Sequence, residues 1–329
     1  MEFETPHWGD EKTDLNLTHS HGAPASEPVD TGISKLQRTG IILFAVFSFF
    51  FFLIMKLPEA RIQNLIIAHI RIFAQQQGFL FSAEKVHVGL LFGPSLRMDN
   101  VELKAIDDEH QVLKVPYLKI RPKLLSLLSS VKKVGITADL LEGEISGSVG
   151  GSTAGSMAVD LSIDSIDLGA STIIKRFLPV ELSGKFNGRI NLDLDSENTA
   201  KSDGSIKLTI DKLVLPAQSV SGFNLPKVSI SESKINVGIA AGQLTINEFE
   251  LGKDGKNDDL VGKLTGSGVL NRYLDRSTIK ASAVFNISQS VKTSFPLLNA
   301  LLSSAQQPDG KFAYHFSGPL SSLDAQPGQ

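Results

Sequence analysis

The sequence predicts a mainly β protein, in which a single N-terminal transmembrane helix precedes an elongated, curved antiparallel β-sheet domain with a few short helices. Three observations support this prediction. An uncharged, Phe-rich segment lies near the N-terminus, apolar and polar residues alternate along much of the remaining chain, and a Gly-containing strand pattern recurs. The chain has 329 residues, 42% of them hydrophobic, which is enough for a sizeable core.

The charge and cysteine counts exclude several classes of protein. The 32 basic and 35 acidic side chains give a net charge of -3 without long runs of either sign, which argues against a nucleic-acid partner. With no Cys, the chain has no disulfide framework, no thiolate nucleophile and no Cys-ligated zinc or iron–sulfur cluster. What the composition leaves open is a membrane-attached, non-enzymatic protein, and no cofactor is expected.

Residues 39–57 form the predicted transmembrane helix. No residue from Thr39 to Met55 is charged, and about 17 to 20 residues cross a hydrocarbon core when Lys56 extends towards the headgroups. A cleavable signal peptide is the alternative, but the preceding segment is long and acidic, and no small-residue cleavage site follows. The predicted membrane-anchor residues are Ile41, Leu43, Phe44, Val46, Phe47, Phe49, Phe50, Phe51, Phe52, Leu53 and Ile54.

The segments around this helix give the predicted domain organisation. Residues 1–38 are rich in Pro, Gly, Ser and acidic side chains, which is typical of a disordered leader. Basic residues flank the helix on both sides, so the orientation rests on the long chain that follows it, which favours a cytoplasmic leader and a translocated bulk. Residues 58–78 are predicted as an amphipathic juxtamembrane helix, 79–320 as a β-rich domain and 321–329 as a disordered tail.

The clearest strand pattern lies within 182–195, where apolar residues occupy one face and charged or amide residues the other. The same alternation recurs at 206–210, 228–230, 235–239, 279–287 and 312–316. The candidate apolar sheet face consists of Leu182, Phe186, Ile190, Leu192, Leu194, Ile206, Leu208, Ile210, Phe285, Phe312, Tyr314 and Phe316. Short helices are predicted at 123–129, 171–177 and 291–302, the last divided at Pro296.

A glycine pattern occurs three times, at 143–147, 184–188 and 262–266, with Gly at the first and fifth positions. The starts lie 41 and 78 positions apart, which indicates one strand unit used repeatedly. Glycines four apart lie on the same face of a strand, where they allow the sheet to curve or another group to approach. Chance recurrence in a Gly-rich β protein is the alternative.

The sequence predicts no catalytic, cofactor-binding or metal site. His19 and His21 could bind a metal weakly, but a solvated tail is the favoured interpretation. The acidic run at 254–259 lacks the Gly and Glu that an EF-hand loop requires, so a polar turn explains it. Asp193 and Asp195 share the wet face of one strand, where a solvated surface is favoured over a catalytic carboxylate pair.

The region after the predicted membrane segment resembles the opening of AsmA-like proteins. A strand at 79–88, a Gly/Pro turn at 89–94, a strand ending in Asn-Val-Glu-Leu at 100–103 and a Leu-rich segment at 123–128 form the shared pattern. The chain length, the late helix and the terminal strand at 310–318 are more specifically similar to the type II secretion system protein N family.

This resemblance implies a single-pass protein of the bacterial inner membrane with most of its chain in the periplasm. The implied role is a non-enzymatic accessory component of type II protein secretion, which contacts other secretion-system or envelope proteins, for example by strand addition. The alternative is an AsmA-like lipid-binding, lipid-transfer or outer-membrane assembly protein, whose apolar sheet face shields acyl chains of phospholipid or lipopolysaccharide. An open apolar face favours this alternative, a closed sandwich counts against it, and an envelope enzyme is the least favoured class.

Overall fold

The computed structural model describes residues 44–46, 48–49, 59–89, 93–170, 173, 180–220, 222–296, 298 and 302–328. The chain divides into two compact units, Met1–Leu53 and Ile54–Gln329. Of the predicted anchor residues, Phe44, Val46 and Phe49 are described and are helical, while the others and the predicted leader lie outside the described residues. None of the described helices is long and apolar enough to span a bilayer.

The first helix of the second unit, α1 (Glu59–Gln76), lies where the sequence predicts an amphipathic helix. Its residues Ile67 and Ala74 pack against the first strands of the sheet. Gly78 adopts a φ of 82°, which allows the chain to reverse directly into β1 (Phe79–Gly89). Helix α1 therefore runs back over the sheet from this turn.

One antiparallel sheet of fourteen strands dominates the second unit, which confirms the prediction of a mainly antiparallel β domain. Strands that follow one another in the chain are neighbours in the sheet, except that a separate hairpin of β9 (Gln218–Val220) and β10 (Phe223–Leu225) lies between β8 and β11. The other strands are β2 (Ser95–Ala105), β3 (Val112–Pro122), β4 (Lys132–Leu140), β5 (Gly143–Gly151), β6 (Ser156–Asp167), β7 (Ser183–Asp195), β8 (Asp203–Leu215), β11 (Val228–Ala240), β12 (Gln243–Leu251), β13 (Leu260–Val269), β14 (Thr278–Ile287), β15 (Phe312–Pro319) and β16 (Asp324–Pro327).

After α1, the helical segments in the described part of this unit are short, as predicted. The 3-10 turns are Leu124–Leu128, Thr199–Lys201, Leu274–Arg276 and Ser303–Ala305. The first lies within the predicted helix at 123–129, whereas the predicted helix at 171–177 lies outside the described residues except for Ile173.

The predicted helix at 291–302 begins earlier than expected and is divided, as expected, near Pro296. Helix α2 (Gln289–Ser294) starts after Ser288, whose hydroxyl accepts a hydrogen bond from the backbone N–H of Val291. The helix ends at Ser294 because the residue before a proline is disfavoured in helical conformation. The prediction missed the N-cap serine, which is a recognisable start signal.

The prediction of a disordered tail at 321–329 is wrong. Residues Asp324–Pro327 form β16, which pairs with Ser317 to Tyr314 of β15. Without this strand, the outer backbone groups of β15 would lack these hydrogen-bond partners. The alternation of these four residues is too short to predict a strand from the sequence, so backbone pairing with β15 identifies it.

The glycine repeats lie in β5, β7 and β13, and the connections after β7 and β13 share a construction. Each contains a 3-10 turn followed by a serine that is 1% exposed, Ser202 in one and Ser277 in the other. Each serine hydroxyl accepts a hydrogen bond from a backbone N–H at the start of the connection, Asp195 N at 2.9 Å or Asn271 N at 3.0 Å. The connections that follow two of the three segments therefore have the same local construction, while a common repeat unit for the glycine segments stays a prediction.

Buried apolar side chains form two core clusters in the described part of the chain, one near each end of the strand order. The α1 core contains Ala74, Phe81, Met98, Val101, Val115 and Ala138. The α2 core contains Ile287, Val291 and Phe312, with Leu298 and Leu302 packed against them. A helix therefore accompanies the sheet at both of these cores.

Candidate apolar binding face

One face of the fourteen-stranded sheet is apolar from its first strand to its last. Directly paired residues project from the same face, so the register connects side chains into rows that cross the sheet. One row, called the apolar row here, runs for roughly 60 Å at about 4.8 Å between strands. Its members, one from each strand, are Val88, Leu96, Ile120, Ile136, Gly147, Leu161, Ile190, Ile206, Val237, Ile246, Gly266, Ala281, Phe316 and Ala325.

The structure places eleven of the twelve predicted face residues on the face that carries the apolar row, called the apolar face. Leu182 is the exception, because β7 begins one residue later, at Ser183, and Leu182 is half-buried in the preceding connection. The eleven are Phe186, Ile190, Leu192, Leu194, Ile206, Leu208, Ile210, Phe285, Phe312, Tyr314 and Phe316.

Aromatic side chains concentrate where β14 and β15 lie on this face. The ring of Phe285 lies 5.7 Å from that of Phe312 and 6.2 Å from that of Tyr314, measured between centroids. Tyr314 and Phe316 follow at 6.4 Å. Such offset pairs add attraction beyond the area they bury, so this end of the face is well packed.

Burial on the apolar face differs between the ends of the sheet and its middle. Met98 in the α1 core is 1% exposed and Phe312 in the α2 core is 0% exposed. Between them, most apolar side chains of β5 to β13, such as Ile190 and Ile206, are only half-buried. The fully buried apolar exceptions on this part of the face lie close to strand ends: Ile166, Ile230 and Ile239.

The opposite face of the sheet carries most of the charge. Lys263 Nζ lies 2.6 Å from Glu250 Oε1, and this hydrogen bond raises the pKa of Lys263. Glu232 pairs with Lys253 and, at 3.6 Å, with Lys234. The hydrogen bond from Lys253 holds the pKa of Glu232 below its ordinary value. These pairs are partly exposed and contribute little to stability, but they mark this face as the wet one.

Glycines of the apolar row are required by the close approach of the neighbouring strand. A Cβ on Gly147, which has a φ of 147°, would overlap the carbonyl oxygen of Asp160 in β6. A Cβ on Gly266 would lie 2.5 Å from the carbonyl oxygen of Lys280. The close-approach explanation of the repeated glycines therefore holds at these two positions.

In several strands, two side chains three positions apart lie on the apolar face, where a regular strand would require an even spacing. This three-residue step was missed by the sequence interpretation. Strand β11 illustrates the step, because Ile230 and Ser233 pair with Leu213 and Ile210 of the same neighbouring strand. The sequence analysis had treated 228–230 and 235–239 as separate runs. The signal was present as apolar pairs three positions apart within alternating runs: 83/86, 98/101, 115/118, 163/166, 210/213 and 246/249.

Local backbone irregularities produce these steps. Asn100, Ser165 and Lys212 have positive φ angles of 52°, 55° and 53° in the interiors of β2, β6 and β8. The amide of Asn187 supports one of them by accepting a hydrogen bond from Ser165 N at 2.7 Å. Each bulge adds twist and re-aims the following side chains, so the apolar face continues across it.

A cavity of about 160 Å³ lies at one end of the apolar face. Met157 and Leu194, which belong to that face, line it together with Leu270 and Leu274. Arg272 and Asp195 also border the cavity. The cavity therefore combines apolar walls with side chains of both charges.

In the acidic run at 254–259, serine hydroxyls and backbone N–H groups donate hydrogen bonds to the carboxylates of Asp258 and Asp259. Asp258 accepts hydrogen bonds from Ser231 Oγ at 2.6 Å, from Ser231 N and from Lys253 N. Asp259 accepts hydrogen bonds from Ser229 N at 2.9 Å and Ser288 Oγ at 2.7 Å. These bonds join β11, the β12–β13 turn and the start of α2, which is a structural role.

In the described part of the chain, the other His, Asp and Glu side chains do not cluster into a metal-binding or catalytic site. No group of three His, Asp or Glu side chains there could hold a metal ion. Asp195 accepts hydrogen bonds from Glu197 N and Asn198 N within its own turn, while Asp193 is exposed on the charged face. His19 and His21 lie outside the described residues.

Comparisons of this chain with family models, with curated proteins and with solved structures find no match.

Proposed function

We propose that this protein binds the acyl chains of membrane lipids along its apolar face. The observation that supports the proposal is the apolar row, which crosses fourteen strands while its central members stay half-buried. Contiguous exposed apolar surface of this extent usually marks a binding site. In the described part of the chain, the remaining sheet is the small β9–β10 hairpin, so the candidate face has no second large sheet packed on it.

The chemistry of the face favours acyl chains over an extended polypeptide. An extended segment laid across it would need partners for its backbone N–H and C=O groups, which apolar side chains do not supply, whereas a helix pairs these groups internally, as α1 and α2 do at the two cores. An acyl chain has no such groups, and its burial is favourable in proportion to the area removed from water. The exposed apolar face therefore supports the lipid-binding role.

Lipid that co-purifies with the full chain provides the test. The substitutions Ile190→Asn and Ile206→Asn would place amides in the middle of the apolar row, while Thr209→Asn on the charged face is the matched control. Mass spectrometry of protein extracted in mild detergent should show bound phospholipid or lipopolysaccharide in the parent and the control, and a loss in the row variants. Equal lipid content in all forms, with circular dichroism showing intact folds, would contradict the proposal.

The proposal includes a location in the bacterial cell envelope, with residues 39–57 as the anchor. The accessory role in type II secretion that the resemblance implies stays a prediction. It would use the outermost strands of the sheet, β1 and β16, for strand addition to another envelope protein. Loss of exported folded proteins with unchanged envelope lipids, in cells that lack the gene, would favour that role over lipid binding.

A further inference from the structure

The connection between β3 and β4 exposes four leucines to solvent. In the 3-10 turn Leu124–Leu128, the exposed fractions are 51% for Leu124, 86% for Leu125, 54% for Leu127 and 90% for Leu128. Exposure of several neighbouring large apolar side chains is unfavourable in water and marks an interaction surface. These four leucines are called the leucine loop.

Hydrogen bonds define the conformation of the leucine loop, so the exposure of its side chains belongs to an ordered structure. Ser126 Oγ donates to Lys123 O at 2.6 Å and accepts from Lys133 N at 2.8 Å, which ties the loop to β4. The ammonium of Lys132 donates to the carbonyl oxygens of Leu127 and Ser129 at 2.6 and 2.7 Å. The named carbonyl groups therefore keep partners without water, a requirement for backbone that enters an apolar medium.

Basic residues surround the leucine loop, whereas acidic residues occupy the opposite end of the same strands. The stretch 118–138 contains five Lys or Arg residues and no Asp or Glu. The connection between β2 and β3, at the other end of β3, contains Asp107, Asp108 and Glu109. This hairpin region is thus a dipole of fixed charges with its positive end at the leucines, which is the polarity that an anionic surface attracts.

Helix α1 begins at the same end of the sheet as the leucine loop. The chain reverses at Gly78, so α1 runs back along β1 and its first turn lies towards the β1–β2 connection. A Cβ on Gly93 in that connection would lie 3.7 Å from Leu124 Cδ1, so the leucine loop is adjacent to it. In the chain, the predicted anchor ends at Leu57, two residues before α1 begins.

We propose that the leucine loop inserts into the surface of an anionic phospholipid bilayer, while the basic residues beside it contact the lipid headgroups. The leucine side chains enter the boundary of the acyl region, and each cation near the surface adds attraction to the anionic lipid. This second membrane contact fixes the orientation of the sheet relative to the bilayer. It does not rest on lipid binding along the apolar row.

The absence of Cys from the chain permits a direct test of insertion depth. Leu128→Cys, and separately Leu125→Cys, would carry a nitroxide label in the full chain, reconstituted into vesicles of phosphatidylcholine with phosphatidylglycerol. Ile106→Cys is the matched control, because Ile106 is 52% exposed at the acidic end of the same strands. We expect the labels at 125 and 128 to be accessible to oxygen and protected from a water-soluble nickel chelate. The label at 106 should show the reverse.

Charge dependence is tested in the same system. Arg121→Gln with Lys123→Gln removes two exposed cations but keeps Lys132, which holds the loop in shape. In this variant, and in vesicles of phosphatidylcholine alone, we expect the label at 128 to become more accessible to the nickel chelate.

Three results would overturn the proposal. The first is accessibility of the labels at 125 and 128 to the nickel chelate equal to that at 106. The second is insertion that does not change with lipid charge. The third is protection of the labels at 125 and 128 from the nickel chelate that persists in detergent and increases with protein concentration. That result would assign the leucine loop to contact with a second copy of the chain. The lipid content of the Ile190→Asn variant is independent of these outcomes.

Discussion

The ends of the sheet and its middle share one alternating sequence pattern but differ in how deeply they bury it. At the ends, α1 and α2 pack against the strands, and residues such as Met98 and Phe312 are almost fully enclosed. In the middle, Ile190 and Ile206 alternate in the same way and remain half-buried. Alternation therefore sets which face is apolar, while the presence of a covering helix sets whether that face becomes a core.

The difference teaches where the stability and the binding capacity of the protein lie. A buried side chain in either end core has already gained its free energy of transfer from water. A half-buried side chain in the middle keeps apolar area that a ligand can still remove from water. We therefore expect the ends to dominate folding stability and the middle to dominate lipid binding.

Phe312→Ala should have the largest effect on stability. The phenyl ring is fully buried, contacts the Phe285 ring and lies 5.2 Å from Lys292 Nζ, so its removal leaves a cavity in the α2 core. We expect the free energy of unfolding to fall by about 3–5 kcal/mol in chemical denaturation. Phe316→Ala, on the same strand but half-buried, is the control, and an equal loss there would remove the distinction between core and open face.

Gly147→Ala should destabilise the middle of the sheet although it removes no apolar side chain. The new methyl group would overlap the carbonyl oxygen of Asp160, so the strands must separate, at a cost of about 1–3 kcal/mol. Gly151→Ala in the same strand should be tolerated, because its Cβ would lie 3.8 Å from Ser156 O. Denaturation midpoints of the two variants provide the measurement, and equal midpoints would refute the close-approach explanation.

Ile206→Ala tests the middle of the apolar face. Because this side chain is half-buried, the loss of unfolding free energy without lipid should be about 1 kcal/mol. When lipid is present the loss should grow, since the parent then buries more of that side chain. Thermal unfolding with and without phospholipid, compared with Phe312→Ala, gives the measurement; a loss that stays constant on lipid addition would count against a bound acyl chain.

Asp258→Asn should weaken the strand-end network that joins β11 to the β12–β13 turn. Burial raises the pKa of Asp258, but hydrogen bonds from Ser231 and from Lys253 N outweigh it and hold the pKa below its ordinary value. The stabilisation is therefore present above about pH 4 and lost as the pH falls further.

We expect Asp258→Asn to lose about 1 kcal/mol at neutral pH and to show a smaller decline of stability in acid. Unfolding curves across this pH range give the measurement. Asp254→Asn, exposed in the same turn, should behave as the parent does. An acid decline in the Asp258 variant as steep as in the parent would assign the decline to other groups.

Ser233→Ala should have the smallest effect, and a favourable one. Ser233 is 2% exposed, it pairs with Ile210 and Leu251 on the apolar face, and its hydroxyl has no hydrogen-bond partner. Replacing a buried, unsatisfied hydroxyl by a methyl group should be neutral or stabilising by up to about 1 kcal/mol. Clear destabilisation in chemical denaturation would show that the hydroxyl is satisfied in solution.

The sequence predicted the faces of the sheet better than the cover over them. Alternation at 182–195 identified the apolar side of β7, since a strand with one wet face needs only a period of two. It did not identify β16, which forms through backbone pairing, or the three-residue step at Ile230 and Ser233, which depends on a bulge. The sequence also left open whether the middle of the apolar face is covered, because that depends on packing between distant segments.

A photocrosslinking experiment at adjacent residues of β7 tests the central claim most directly. Ile190 lies on the apolar face and Asn191 on the charged face, so a benzophenone amino acid at either site samples one side of the same strand. In full chain reconstituted with radiolabelled phospholipid, we predict lipid crosslinks at position 190 and none at 191. Equal labelling at both positions, or crosslinks at 190 to protein alone, would contradict acyl-chain binding along the apolar face.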